Sequence, residues 1–194
     1  FVTQFMLQTD LQKNLKEISE NLANFYIAKI KEFKLSENHI IDKMPFNLFW
    51  VGFLAIGFPN AKFIHCKRDA RATCWSNYET SFSDGNEFSF NLDEIVRHYN
   101  LCEDIMLFWK SKFLNRIFTL DYEAFTEDPE IIASNLFDFL QIAWKQEYLD
   151  VKKNKRPVKT ASQLQVKKGI YKGSSQVWKN FEPFIGKAFQ PLVD

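Results

Sequence analysis

Short apolar segments alternate along this chain with longer amphipathic ones, and this order most restricts its fold. Residues 62–66 and 116–121 are predicted strands, and a shorter apolar run at 39–41 is predicted as another. Each is followed by a segment of helical character. Because strands separated by helices pair in parallel, the order predicts a parallel α/β sheet. The 194 residues suffice for one domain around one core.

The helices are predicted from the spacing of apolar residues and from their capping residues. Apolar side chains at steps of three and four predict an amphipathic helix that ends near Phe33, and residues 48–58 predict a helix buried on most sides. Asp69, Asn91 and Asp128 are placed to cap three further helices, of which the first runs to about Thr80. Residues 81–89 are predicted as a loop.

Composition excludes several classes of protein. Hydrophobic residues make up 46% of the chain and charged residues 25%, which is typical of a globular protein and not of a disordered or collagen-like one. No apolar run has the length of a membrane span. The three cysteines lack CxxC spacing, so no metal site is expected. Their odd number favours a reducing compartment, and we expect a cytoplasmic location, or the Golgi lumen in a eukaryote.

Charge is distributed unevenly, although the net charge is only +1 and argues against a nucleic-acid partner. Residues 151–181 contain nine of the 25 basic residues and no acidic residue, which leaves 16 basic against 24 acidic residues elsewhere. Two interpretations stay open: a solvated tail, or a segment that binds an anion. Interleaved serine, glycine and aromatic residues supply groups for ordered hydrogen bonds and stacking.

Polar residues stand where the predicted strands end. Lys43, Arg68 and Tyr122 take these positions, and ligands of open parallel sheets bind at such ends. Ser76 lies about two turns into the helix after Arg68, so a guanidinium and a hydroxyl can reach one anion there, and a phosphate fits. The alternatives are a surface ion pair for Arg68 and a solvated lysine for Lys43.

Five sequence blocks in a fixed order resemble a sulfotransferase. They are DKMPFN at 42–47, FPNAKFIHCKRD at 58–69, CWSNY at 74–78, LDYE at 120–123, and spaced positions between 160 and 178. The pattern is similar to that of bacterial sulfotransferases that often follow tetratricopeptide repeats, and protein-tyrosine sulfotransferases are close relatives. The resemblance covers residues 37 to 182 approximately. It implies an upstream tetratricopeptide-repeat domain as a partner.

The resemblance implies a P-loop-NTPase-like α/β fold that binds 3′-phosphoadenosine 5′-phosphosulfate (PAPS). The sulfuryl group would move to a hydroxyl of a protein tyrosine, a glycan or a small molecule, leaving adenosine 3′,5′-bisphosphate (PAP). By position, Arg68 and Ser76 match the pair that holds the ribose 3′-phosphate, and Tyr122 matches a tyrosine that contacts the nucleotide. The matching C-terminal cofactor segment comprises Ser162, Val166, Lys167, Lys168, Gly169 and Tyr171, with Lys167 and Gly169 in place of the family's usual arginine and proline.

Lys43 matches the lysine that the protein-tyrosine branch places near the bridging oxygen. Charge develops on the leaving phosphate as the S–O bond breaks, and a fixed ammonium stabilises that charge. His39, His65 and His98 match no catalytic position, and a histidine within an apolar strand, such as His65, is usually a satisfied core residue. No general base is evident.

The family's Gly-rich loop for the 5′-phosphosulfate has no counterpart between residues 1 and 34. We therefore expect residues 1–194 to be the C-terminal portion of a single sulfotransferase domain, without its first strand and phosphate loop and inactive alone. A non-catalytic nucleotide-binding or interaction module derived from this fold is the alternative. A P-loop kinase is disfavoured because the chain has no GxxxxGK[ST] motif.

Overall fold

The computed structural model describes residues 14–34, 37–82, 85–150 and 169–192. These residues fall into two compact units. The first is drawn from Phe1–Phe63 and Ile105–Arg116, and the second from Ile64–Asp104 and Ile117–Asp194. Each unit is described separately below, and the single domain over residues 1–194 stays a prediction.

The first unit begins with helix α1 (Leu15–Glu32), followed by a 3₁₀ helix (Pro45–Trp50) and helix α2 (Val51–Gly57). The Oδ1 atom of Asn14 caps α1 by accepting from the Glu17 N–H at 2.8 Å. Helices α1 and α2 pack closely, since a Cβ atom on Gly57 would lie 2.5 Å from the Ser19 carbonyl oxygen. The predicted amphipathic helix ending near Phe33 is confirmed.

The apolar segment 48–58, predicted as one helix, is split into the end of the 3₁₀ helix and α2. The indole Nε1 of Trp109 donates to the Leu48 carbonyl at 2.8 Å, so this carbonyl has a partner outside its own helix. The same ring covers Gly52, where a Cβ atom would lie 2.6 Å from the ring. A tertiary contact with a tryptophan therefore accompanies the change of helix type.

The strand predicted at residues 39–41 is wrong. These residues form no strand, and the side chain of Ile41 is 87% exposed. In the described part of the chain the sheet has two strands, and neither includes this run. A three-residue apolar run has no strand character without a partner, because interstrand hydrogen bonds hold a strand. Instead, the hydroxyl of Tyr26 on α1 donates to the following Asp42 carboxylate at 2.5 Å.

Arg116 closes the carboxyl end of α2 within the first unit. Its guanidinium donates to the carbonyl oxygens of Ala55, Phe58 and Ala61 at distances from 2.7 to 3.0 Å. The last carbonyl groups of a helix have no partner inside the helix, and a cation there also complements the helix dipole. One side chain thus satisfies three backbone acceptors.

The second unit contains a parallel sheet of two strands, β1 (Phe63–Lys67) and β2 (Ile117–Asp121). Helix α3 (Ala70–Glu79) follows β1, and helices α5 (Tyr122–Glu127) and α6 (Pro129–Leu140) follow β2. The intervening segments are a 3₁₀ turn (Glu87–Phe90), helix α4 (Leu92–Lys112) and a 3₁₀ turn (Gln146–Leu149). Of α4, the part up to Asp104 belongs to the second unit and the part from Ile105 belongs to the first. The α/β class is confirmed, whereas the P-loop-NTPase-like topology with a missing first strand stays a prediction.

The three predicted helix caps are confirmed. Asp69 accepts from the Ala72 N–H at 2.7 Å at the start of α3, and Asp128 accepts from the first turn of α6. Asn91 accepts from two backbone N–H groups in the first turn of α4. Each cap gives a partner to backbone donors that the helix itself leaves unpaired.

The C-terminal part of the second unit is a 3₁₀ helix (Ser174–Phe181) followed by helix α7 (Glu182–Ile185). Its apolar side chains complete the core: Phe189 is 1% exposed, and the rings of Trp75 and Phe181 stack at 4.3 Å. The buried core residues are Ala70, Ala72, Cys74, Ile95, Val96, Trp178, Ile185, Phe189 and Leu192. For residues 174–181, the solvated-tail interpretation is therefore wrong, while residues 151–168 lie outside the described residues.

Among the helices of the described residues, none combines the length and apolarity needed to cross a bilayer.

Candidate functional site

Arg68 directly follows β1, and its guanidinium reaches the C-terminal 3₁₀ helix. Nε donates to the Ser175 hydroxyl at 3.0 Å, and Nη2 donates to the Ser174 carbonyl at 2.8 Å. The side chain is partly buried. The Arg68 side chain thus links the end of β1 to the C-terminal 3₁₀ helix.

Tyr122 stands at the equivalent position after β2, as the first residue of α5. The guanidinium carbon of Arg68 lies 5.3 Å from the centroid of its ring, and its hydroxyl shares a 2.9 Å hydrogen bond with the Ser174 hydroxyl. The structure therefore brings together Arg68 and Tyr122, the two residues that the sequence places at the ends of these strands.

Glu123 belongs to the same cluster, and sequence reasoning missed it. Its carboxylate accepts from the Asp69 N–H at 3.2 and 3.3 Å and from the Ser175 hydroxyl. The sequence signal that could have indicated Glu123 is its place as an acidic residue in the first turn of a helix. Asp121 caps this helix by accepting from the Ala124 N–H. That helix, α5, was itself not predicted.

A cleft of about 270 Å³ opens beside Arg68. Ser76, on α3, also lines this cleft, so the two residues predicted to share an anion border the same space. The remaining lining residues are Cys66, Lys67, Thr73, Asn77, Tyr99 and Glu103. The lining is rich in hydrogen-bond donors, as an oxyanion requires.

An acidic residue, Glu103, forms part of this lining and is 8% exposed. It accepts from the Lys67 ammonium at 3.0 Å and lies 3.5 Å from Nε2 of His65. The hydrogen bond from His65, together with Lys67, lowers the pKa of Glu103 to about 2 against the opposing effect of burial. His65 is thus a partner of Glu103, although its Nδ1 atom has no hydrogen-bond partner among the described residues.

A second cleft of about 280 Å³ lies where α5 meets the start of the C-terminal 3₁₀ helix. Tyr122, Glu123, Ser174 and Ser175 line it, so the contacts of Arg68 border this cleft as well. At its edge the Lys172 ammonium pairs with the Glu127 carboxylate at 2.7 Å, both groups being exposed.

The described residues support neither cysteine chemistry nor metal chemistry. Burial raises the pKa of Cys74 to about 12 and that of Cys102 to about 11, so both thiols stay protonated at neutral pH. Within the described ranges, no three His, Cys, Asp or Glu side chains are grouped as metal ligands would be.

The other predicted site residues are distributed as follows. Lys43 is exposed in the first unit, in the irregular segment before the 3₁₀ helix Pro45–Trp50. Gly169 is half-buried with a left-handed φ of +84°, which glycine adopts without strain, and Tyr171 is 37% exposed. Ser162, Val166, Lys167 and Lys168 lie outside the described residues.

Comparison with known proteins identifies the class. The sequence model of the Sulfotransferase family matches residues 2–146, three quarters of the chain. The chain belongs to the sulfotransferase family. The match includes Lys43, Arg68, Ser76 and Tyr122 and ends before Gly169 and Tyr171.

A relative from Aquifex aeolicus (strain VF5), described as an uncharacterized protein, is 35% identical over 182 residues. The alignment covers 92% of this chain and 24% of the relative. The chain thus spans about a quarter of the length of the relative that it matches.

Proposed function

We propose that this chain binds PAPS and takes part in the transfer of its sulfuryl group to a hydroxyl acceptor. Membership of the sulfotransferase family supports sulfuryl transfer in general. The observation that carries the choice of donor is that Arg68 and Ser76 line one cleft after β1, with Tyr122 against the guanidinium of Arg68. In the proposal, this cleft holds the ribose 3′-phosphate of the nucleotide.

Arg68 and Ser76 suit a phosphate chemically. A guanidinium presents paired N–H donors that match two phosphate oxygens, and a hydroxyl adds a further donor. The neighbouring Glu103 does not repel the phosphate strongly, because the Lys67 ammonium, 3.0 Å away, already compensates its charge. Because Lys67 is paired with Glu103, Arg68 is the cation of this cleft that is available to the ligand.

The role proposed for Lys43 concerns the 5′-phosphosulfate end of PAPS. In the transfer, the bond between sulfur and the bridging oxygen of PAPS breaks while a bond forms from sulfur to the acceptor oxygen. Negative charge collects on the leaving 5′-phosphate of PAP, and the acceptor hydroxyl gives its proton to a base. We assign to Lys43 the stabilisation of the leaving phosphate, because a fixed ammonium is effective where charge develops.

The acceptor in this proposal is a hydroxyl of a protein tyrosine, a glycan or a small alcohol. The proposed 3′-phosphate site is tested by comparing PAP with adenosine 5′-monophosphate (AMP), because the two nucleotides differ only in the 3′-phosphate. Titration calorimetry of the intact protein should give a markedly smaller Kd for PAP than for AMP or ATP. Equal affinity for PAP and AMP would contradict the proposed 3′-phosphate site, whereas tight PAP binding without sulfation of any acceptor would favour a nucleotide-binding module.

A further inference from the structure

The guanidinium of Arg68 has two edges that can each bind a pair of acceptors. The side-on edge comprises Nε and one Nη2 proton, and the end-on edge comprises Nη1 and the other Nη2 proton. In this structure the side-on edge is occupied by the Ser175 hydroxyl and the Ser174 carbonyl. Within the described residues, the Nη1 group has no acceptor.

The Ser175 hydroxyl has its hydrogen bonds fixed in direction. It has one proton, which it donates to the Glu123 carboxylate, so its lone pairs are left to accept from Arg68. Ser175 is 5% exposed, so water does not readily replace either partner. A carboxylate, a hydroxyl and a guanidinium therefore form one chain of hydrogen bonds.

Glu123 also connects this chain to the backbone. Its carboxylate accepts from the N–H of Asp69, the residue after Arg68, while Glu123 itself lies on α5 after β2. The carboxylate thus holds both the backbone next to Arg68 and, through Ser175, the guanidinium at the end of the side chain. Such a double hold restricts the rotamers of Arg68 before any ligand arrives.

We propose that Glu123 and Ser175 are positioning residues that hold the side-on edge of Arg68 and thereby direct its end-on edge to the 3′-phosphate. This inference rests on the proposed function, since it assumes that Arg68 binds that phosphate. A side chain already fixed in its binding geometry loses less conformational freedom on binding. In the hydrogen-bond chain, Ser175 lies between the Glu123 carboxylate and the guanidinium of Arg68.

The test compares PAP with AMP in variants of the intact protein. Ser175→Ala removes the link between Glu123 and Arg68, and we expect its affinity for PAP to fall about tenfold, as for loss of a hydrogen bond that orients a charged group. Its affinity for AMP should change less than about twofold, because AMP lacks the phosphate that Arg68 binds. The ratio of the two Kd values is the readout that a general structural role would not move.

Three further variants sharpen the comparison. Ser175→Thr keeps the hydroxyl and should retain most of the preference for PAP. Glu127→Gln removes an exposed carboxylate on the same helix that borders the same cleft, and it should leave both affinities unchanged. Glu123→Gln is measured beside Ser175→Ala and carries the test alone if Ser175→Ala does not fold, since the amide keeps the shape of the side chain and removes the charge that holds the chain of hydrogen bonds.

The outcomes separate this inference from the proposed function. If wild-type protein prefers PAP and the preference falls in Ser175→Ala and Glu123→Gln, the positioning role is supported. If wild type prefers PAP and both variants retain the full preference, or lose PAP and AMP affinity equally, the positioning role is wrong while the 3′-phosphate site stands. If wild type itself shows no preference for PAP, the 3′-phosphate site is wrong and the positioning role is overturned with it.

Discussion

The guanidinium carbon of Arg68 lies 5.3 Å from the centre of the Tyr122 ring, although the two residues are 54 positions apart in the chain. Each directly follows one strand of the parallel pair. The ring face is a weakly negative surface for the cation, and the tyrosine hydroxyl contacts Ser174, which also accepts from Arg68 through its carbonyl. The two strand ends and the C-terminal segment thus meet around one cation.

This contact gives a prediction for the Tyr122 side chain. Tyr122→Phe keeps the ring and removes the hydrogen bond to Ser174, whereas Tyr122→Leu removes both. A cation over an aromatic ring contributes about 0.5 to 1 kcal/mol at partly exposed sites, so Tyr122→Leu should weaken PAP binding by about two- to fivefold more than Tyr122→Phe. Calorimetry measures both Kd values. Equal losses in the two variants would mean that the ring face contributes nothing to the site.

The role assigned to Lys43 predicts a separation of turnover from binding. In the complete enzyme, Lys43→Ala should lower kcat about a hundredfold, since an electrostatic group that acts on the leaving phosphate is lost, while the Kd for PAP changes little. Lys31→Ala, which removes an exposed lysine of α1, is the matched control and should keep full turnover. Steady-state kinetics with PAPS and an accepted hydroxyl substrate measure kcat. Unchanged turnover in Lys43→Ala would make Lys43 an ordinary solvated lysine.

Glu103 predicts how stability depends on pH. Because the native contacts with His65 and Lys67 hold the pKa of Glu103 at about 2, against 4.5 without them, the folded state favours the ionised carboxylate. The resulting stabilisation is fully present above about pH 4.5 and is lost as the pH falls toward 2, and its size is on the order of 3 kcal/mol. Glu103→Gln should therefore lower the free energy of unfolding at pH 7 and flatten its pH dependence between 4.5 and 2.

Denaturant unfolding of the intact protein at a series of pH values measures this dependence. Asp104→Asn, which changes the exposed neighbour on the same helix, is the control and should keep the wild-type slope. If Glu103→Gln lost stability equally at every pH, the carboxylate would contribute through packing and not through its charge.

Much of the fold was predictable from the sequence because its signals are local. Helices α1, α3, α4 and α6 have regular apolar spacing or a capping residue, and β1 and β2 are apolar runs bounded by polar residues. Helix α5 was not predicted because its six residues are too few to show a helical spacing of apolar side chains. Residues 39–41 were misassigned because an apolar run does not indicate whether a neighbouring strand exists to pair with it.

The site was predictable in part for the same reason. Arg68 and Tyr122 directly follow strands, so their convergence follows from parallel pairing. The link from Glu123 to Ser175 joins residues 52 positions apart, in a segment whose path no periodicity describes. Long-range side-chain contacts of this kind depend on how the C-terminal 3₁₀ helix packs on the core, and the sequence pattern contains no information on that packing.

Titration of wild type and Arg68→Ala with PAP and AMP is the most direct test of the 3′-phosphate site, with Arg97→Ala as the control for an exposed arginine of α4. We expect Arg68→Ala to lose about 1.5 to 3 kcal/mol of binding free energy for PAP, because a charge-assisted contact is removed, and almost none for AMP. Arg68→Lys should not restore the loss, because an ammonium cannot bind the C-terminal segment and the phosphate with two separate edges. Arg97→Ala should match wild type with both nucleotides. An Arg68→Ala protein that binds PAP as tightly as wild type would contradict the assignment of Arg68 to the 3′-phosphate.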